Sequence, residues 1–85
     1  MKEPTKQKQQ VIWYLYNLKE FSLKDVINDS MFFKFQTRLS EIESKFGVIS
    51  KKVRHNFTNK FGNSGSFIKY EAIDKSKLKK LFDKV

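Results

Sequence analysis

The chain has 85 residues, enough for one domain and too few for two. It contains no Cys, which excludes disulfides, thiolate metal sites and a cysteine nucleophile. Its 18 Lys and Arg against 9 Asp and Glu leave a net charge of +9, which calls for a polyanionic partner or a heavily solvated surface.

Residues 1–6 read as a flexible N-terminal arm and residues 7–85 as a single domain. Thr5 is the expected N-cap of a first helix from Gln7 to Glu20, in which Val11, Leu15 and Leu18 fall at helical spacing with Tyr14 alongside. Trp13 and Tyr16 fall on another face. They are expected either under the last helix or on a partner surface.

Ser22 and Asp25 have the spacing of a capping box, and open a short helix through Leu23 to Asn28. The run Asn28-Asp29-Ser30 is expected to break it. A third helix is marked by Phe35, Leu39, Ile42 and Phe46 at i, i+4, i+7 and i+11, with Gly47 as its stop.

After Gly47 the helical period is lost. Val48 to Arg54 reads as one strand and Phe67 to Ile73 as its partner, with HNFTNKFGNSGS as a long hairpin tip between them. Phe57 is expected to fold back into the core, whereas Phe61 is left open between core and contact. Asp74 then caps a last helix with Leu78, Leu81, Phe82 and Val85 on its apolar stripe.

Charge is unevenly spread along this order. Residues 1–33 carry five basic and four acidic side chains, residues 34–69 eight and two, and residues 70–85 five and three. Between Glu43 and Glu71 there is no acid at all. The expected class is α+β, a winged helix-turn-helix with a three-helix core, a two-stranded β-wing and a C-terminal helix. A three-helix bundle with a stray hairpin fits less naturally.

The stretch FQTRLSEIESKFGVISKKV resembles the small phage and prophage helix-turn-helix domains of low-GC bacteria. The matching residues are Arg38, Leu39 and Ile42 in the helix, Phe46 and Gly47 at its stop, and Lys51 and Lys52 in a basic strand. FIKYEAI, Phe67 to Ile73, resembles the returning wing strand of such domains. The likeness covers roughly residues 7–73, and departs from them at Met31-Phe32-Phe33, where small or polar residues are usual. It implies a non-catalytic, duplex DNA-binding protein of phage or mobile-element type, acting in transcription regulation or as an excision or replication accessory factor. Its implied place is the cytoplasm or nucleoid of a bacterial host.

In that arrangement the third helix enters the major groove, and Lys34, Gln36, Thr37, Arg38 and Lys45 are its expected contacts. Gln suits adenine and Arg suits guanine; the competing reading of Arg38 is an i,i+3 pair with Glu41 on a solvated face. Lys51, Lys52, Arg54, His55 and Lys60 are expected to meet phosphates from the wing. Their competing reading is a mobile loop whose lysines discourage edge aggregation.

Catalysis has no support in the sequence. His55 is the single His, and no metal, phosphate-loop or G-x-S-x-G spacing occurs. No cofactor and no metal are expected. No apolar run approaches the roughly 20 residues of a membrane span, and Met1 to Gln10 lacks a signal core, so a soluble protein without a membrane partner is expected. The partners to weigh are double-stranded DNA, a second copy in a homodimer, and a host protein. In the last case the same fold would inhibit or redirect that protein. RNA is a weaker alternative, because no stacked-aromatic signature is present.

Overall fold

Residues 2–85 are described by a computed structural model. Four helices and a three-stranded antiparallel sheet occur among them. Helix α1 spans Gln7–Asn17 and is followed by a two-residue strand β1, Phe21–Ser22. Helices α2, Leu23–Ser30, and α3, Phe35–Phe46, come next. Strands β2, Ser50–Thr58, and β3, Ser64–Ala72, form a long hairpin, and α4, Lys75–Phe82, closes the chain.

The class is α+β as expected, but the sheet has three strands rather than two, in the order β1-β3-β2. The added strand arises because α1 stops at Asn17 and not at Glu20. Leu18 turns extended, its N–H still reaching Tyr14 C=O, and the chain runs on so that Phe21 pairs with Tyr70 and Ser22 with Lys69. Phe21 is thereby buried, which outweighs three further helical residues. At the other end of α1 the N-cap is Lys6. The expected cap, Thr5, instead donates its N–H and hydroxyl to Gln9 Oε1.

Ser22 both ends β1 and caps α2. Its hydroxyl accepts from Asp25 N–H while Asp25 Oδ2 accepts from Ser22 N–H at 2.8 Å, the complete capping box. Helix α2 runs past its expected end, through Asn28-Asp29-Ser30. Two of these three polar side chains, Asp29 and Ser30, meet a partner from α1. Tyr14 Oη lies 2.6 Å from Asp29 Oδ2 and 2.6 Å from Ser30 Oγ. The stop comes at Met31, which takes a left-handed conformation at φ 57°.

Helix α3 keeps its predicted bounds, with Phe35, Leu39 and Ile42 buried and Phe46 half-buried. Gly47 ends it at φ 91° and ψ 174°, backbone that side-chain-bearing residues rarely adopt. Val48 stays out of the sheet and exposed, and β2 begins at Ser50. The predicted long tip is mostly strand: Asn56 pairs with Ser66, Phe57 with Gly65 and Thr58 with Ser64, leaving only residues 59–63 as the turn. Cross-strand pairing overrides the poor strand preference of Asn, Gly and Ser here. In α4, Asp74 caps as expected, accepting from Ser76 and Lys77 N–H, and Leu78, Leu81 and Phe82 are buried.

The core brings all four helices and the sheet root together. Phe21, Phe35 and Tyr70 meet at its centre, with ring centroids 5.4 Å apart for Phe21–Phe35, 5.3 Å for Phe35–Tyr70 and 5.9 Å for Phe21–Tyr70. Trp13 and Tyr16 are half-buried at its edge, and Lys75 of α4 lies against the Tyr16 ring. Among the described residues no helix is long and apolar enough to cross a membrane.

Burial, and then the bond to Asp29, hold the Tyr14 phenol above its ordinary pKa of about 10, with the Ser30 hydroxyl acting the other way. A folded-state pKa raised in this way contributes stability that is complete below the unfolded value and lost as pH rises through the folded one. Urea midpoints should therefore fall as pH rises past the ordinary tyrosine value of about 10, and Tyr14→Phe, less stable at neutral pH, should show a flatter decline. An equally steep decline in the variant would assign the loss to other groups.

Candidate functional site

The pairing register divides the hairpin into two chemically different faces. Side chains alternate along a strand, so residues paired with or two away from Tyr70 share its core-side face. Lys52 and Arg54 are on that face, with Asn56 and Thr58 beyond them. Lys51, Val53, His55 and Phe57 are on the other, opposite Glu71, Lys69, Phe67 and Gly65. The five predicted wing residues are thus split: Lys52 and Arg54 on one face, Lys51 and His55 on the other, Lys60 in the turn.

Helix α3 lies beside the Lys52 face. An open groove of about 520 Å³ runs between them, lined by Gln36, Ser40, Glu43, Ser44, Lys52 and Tyr70 among others. Two anchors fix the helix to the hairpin along this groove. At one end Gln36 Nε2 donates to Tyr70 Oη at 3.1 Å, above the aromatic contact of Phe35 with Tyr70. At the other, Glu43 Oε2 accepts from Ile49 N–H at 2.9 Å, Ser50 N–H at 3.2 Å and the Ser50 hydroxyl at 3.1 Å. Glu43 is the one acid lining the groove, and this oxygen is committed to the start of β2. Nothing in the spacing of Glu43 foretold that role, because its partners sit beyond the Gly47 turn.

The predicted helix residues are also divided. Gln36 faces the groove and Thr37 is exposed, as is Lys34 at the N-cap. Arg38 is turned to the opposite flank, toward α1. Its Nε donates to Gln7 Oε1 at 2.8 Å and its Nη1 to Glu41 Oε1 at 2.5 Å. Lys8 reaches the other Glu41 oxygen at 4.0 Å. Lys45, seven residues on from Arg38 along the helix, shares that flank, and its Nζ lies 5.4 Å from the Phe46 ring centroid. The outward face of α3 is instead made of hydroxyls, Thr37, Ser40 and Ser44. Ser40 and Ser44, uncharged and not among the expected contacts, are four apart and exposed.

On the far face of the hairpin an aromatic strip continues beyond Lys51, Lys69 and Glu71. His55 stacks on Phe67 at 5.5 Å, its Nε2 shielded from solvent without a partner, and Phe57 lies 6.0 Å from Phe67. Phe57, expected in the core, is instead 47% exposed across its strand partner Gly65, where a Cβ would stand 2.7 Å from the ring. Its odd position in β2 places it on the face away from Tyr70, so it cannot turn inward. Trp13, by contrast, lines a shallow recess with Pro4, Gln10 and Asp29.

The two edges of the hairpin differ as well. The bonds from Ile73 N–H to Ile49 C=O and from Asn59 N–H to Asn63 C=O set the ladder so that even-numbered residues of β3 point their backbone away from β2. Tyr70 meets β1 in this way, but Ser64, Ser66 and Ile68 have no strand beside them. From Phe61 to Ile68 the chain is uncharged, whereas the β2 edge carries Lys52 and Arg54.

Among the described residues no group of three or more His, Cys, Asp or Glu could hold a metal ion. Comparison with protein-family models, with curated protein sequences and with solved structures gives no match to this chain.

Glu43→Ala should strip acceptors from two backbone N–H groups and the buried Ser50 hydroxyl, lowering stability by about 2 kcal/mol in urea titrations. Glu43→Gln, which retains a carbonyl oxygen, should lose less. Equal stability of Glu43→Ala and the parent would show that the helix–hairpin junction does not depend on this carboxylate.

Proposed function

We propose that this is a winged-helix protein that binds duplex DNA without catalysis, with α3 in the major groove and the β2–β3 hairpin as its wing. The reading rests on one observation: the Ser40–Ser44 side of α3 and Lys52, on the same hairpin face as Arg54, line a single groove whose one acid, Glu43, has an oxygen bonded to the start of β2, and no acidic residue occurs between Glu43 and Glu71. The element order helix, strand, two helices, hairpin, with β1 beside β3, fits the same architecture.

Within it Lys34, Lys52, Arg54 and Lys60 neutralise phosphates. Gln36, Thr37, Ser40 and Ser44 supply hydrogen bonds to base edges and backbone, Gln36 alone having the bidentate geometry that selects adenine. Arg38 and Lys45 support the α1 flank, and Lys51 and His55 belong to the far face. A phage or mobile-element regulator or accessory factor of host bacterial cytoplasm remains the expected biological setting, through the resemblance of Arg38 to Lys52 described above.

The open edge of β3 favours a second reading. Ser64, Ser66 and Ile68 present unpaired backbone groups beside a cleft lined by Leu23, Phe57 and Phe67, a place where an extended segment of a protein partner could add a strand. That partner would leave the Lys52–Arg54 face free, so the two readings separate by mutation.

Four phosphate contacts give a slope near −3.6 in log affinity against log salt, about a hundredfold loss between roughly 50 and 200 mM. Fluorescence anisotropy with random duplex DNA should show this dependence. Lys52→Glu with Arg54→Glu should lower affinity at least about tenfold and reduce the slope by about two, while Lys51→Glu, on the far face, should change affinity by less than about threefold. Equal losses from both faces would indicate attraction by net charge alone, and no binding at low salt would favour the protein partner.

A further inference from the structure

The turn of the hairpin is more ordered than an exposed five-residue loop needs to be. Asn59 N–H donates to Asn63 C=O at 2.8 Å and Gly62 N–H to Asn59 C=O at 3.0 Å. The Asn59 side chain adds a second pair, its Oδ1 accepting from Phe61 N–H at 2.9 Å and Asn63 N–H at 3.0 Å. Gly62 completes the turn at φ 82°. This network uses only the backbone of residue 61, so any side chain would satisfy it. The residue present is Phe, 77% exposed, with no ring beside it and Lys60 Nζ 5.0 Å from its centroid.

An aromatic strip that could have covered this ring lies on the same hairpin, at Phe57 and Phe67, and Phe61 does not join it. Lys60 is the one charge at the tip, and from Phe61 to Ile68 there is none. The tip also stands far from the body of the molecule, which measures 46 × 23 × 20 Å. From Lys52 to Thr58 the strand advances about 20 Å. Half a turn of B-form duplex, the step from a major groove to the next minor groove, is about 17 Å.

We propose that Phe61 is a wedge residue: with α3 in the major groove, the tip enters the adjacent minor groove and the phenyl ring inserts at a base step, bending the duplex. Lys60 then lies at the neighbouring phosphates, and the hydrogen bonds of Asn59 and Gly62 hold the ring outward before contact. Flexible pyrimidine–purine steps are the preferred sites, because unstacking costs least there. This inference rests on the duplex-binding reading, and its test separates the two.

The probes are duplexes carrying 2-aminopurine at successive positions, and the same duplexes end-labelled for energy transfer, each titrated with parent, Phe61→Ala and Phe61→Trp proteins. Circular dichroism checks that all three are folded. For the parent, 2-aminopurine emission should rise at one step and the ends should approach. Phe61→Ala should still raise the anisotropy, with affinity about tenfold lower, but lose both the emission rise and the bend. Phe61→Trp should restore them. Binding by the parent with neither signal, or equal signals from Phe61→Ala, overturns the wedge alone. Absence of any anisotropy change at low salt overturns the wedge together with duplex binding.

Discussion

The contact of Tyr70 with Phe21 and Phe35 is the constraint on which the rest of this structure depends. Each ring comes from a different element: Tyr70 from the hairpin, Phe21 from the short strand beside it, and Phe35 from the first turn of α3. All three are nearly inaccessible to water, and burying such rings is worth several kcal/mol in total in a chain too short for a larger core. Without that cluster the hairpin would be a two-stranded ribbon, which is marginal alone in water. With it, β2 and β3 project from a fixed root. The Gln36–Tyr70 hydrogen bond and the Glu43 carboxylate then set the hairpin's angle to α3 from both ends of the groove.

From this geometry the grouping of the basic residues follows. The formal charge of +9 is a property of the composition, but which cations act together is decided by strand parity and by the flank of α3 a residue occupies. Lys52, on the same hairpin face as Arg54, lies across the groove from Ser40 and Ser44. Lys51 lies one residue from Lys52 and faces the opposite way. Arg38, the residue of α3 chemically best suited to guanine, is held by Gln7 and Glu41. In the proposed duplex complex the Ser40 and Ser44 hydroxyls would meet backbone and base edges, with Gln36 the most selective donor and acceptor beside them.

Much of the fold was legible in the chain. Helix α3 could be read to its last residue because a clean apolar stripe runs into a glycine, and α2 and α4 were announced by Ser22, Asp25 and Asp74. What stayed hidden depended on partners distant in sequence. Strand β1 exists because Phe21 pairs with Tyr70, 49 residues later, and two residues cannot display a period. The extension of α2 through Asp29 and Ser30 depends on the Tyr14 hydroxyl, and the extension of β2 through Thr58 on its pairing with β3. For the candidate site, residue chemistry picked out the cations but not their grouping: Arg38 and Lys51 look equivalent to Arg54 and Lys52 until register and helix flank are known. Ser40 and Ser44 carry no charge to attract notice, and Glu43 enters the sequence reading only as the start of the acid-free stretch.

Amide chemical-shift mapping of the labelled protein titrated with a short duplex tests the proposed single binding face most directly. Shifts should concentrate on Thr37, Ser40 and Ser44 of α3 together with Lys52, Arg54 and the turn around Phe61, while Lys51, Val53 and the α1 flank around Arg38 change little. Shifts centred on the far side of the hairpin or on the open edge of β3, with α3 unaffected, would contradict a shared helix–hairpin surface.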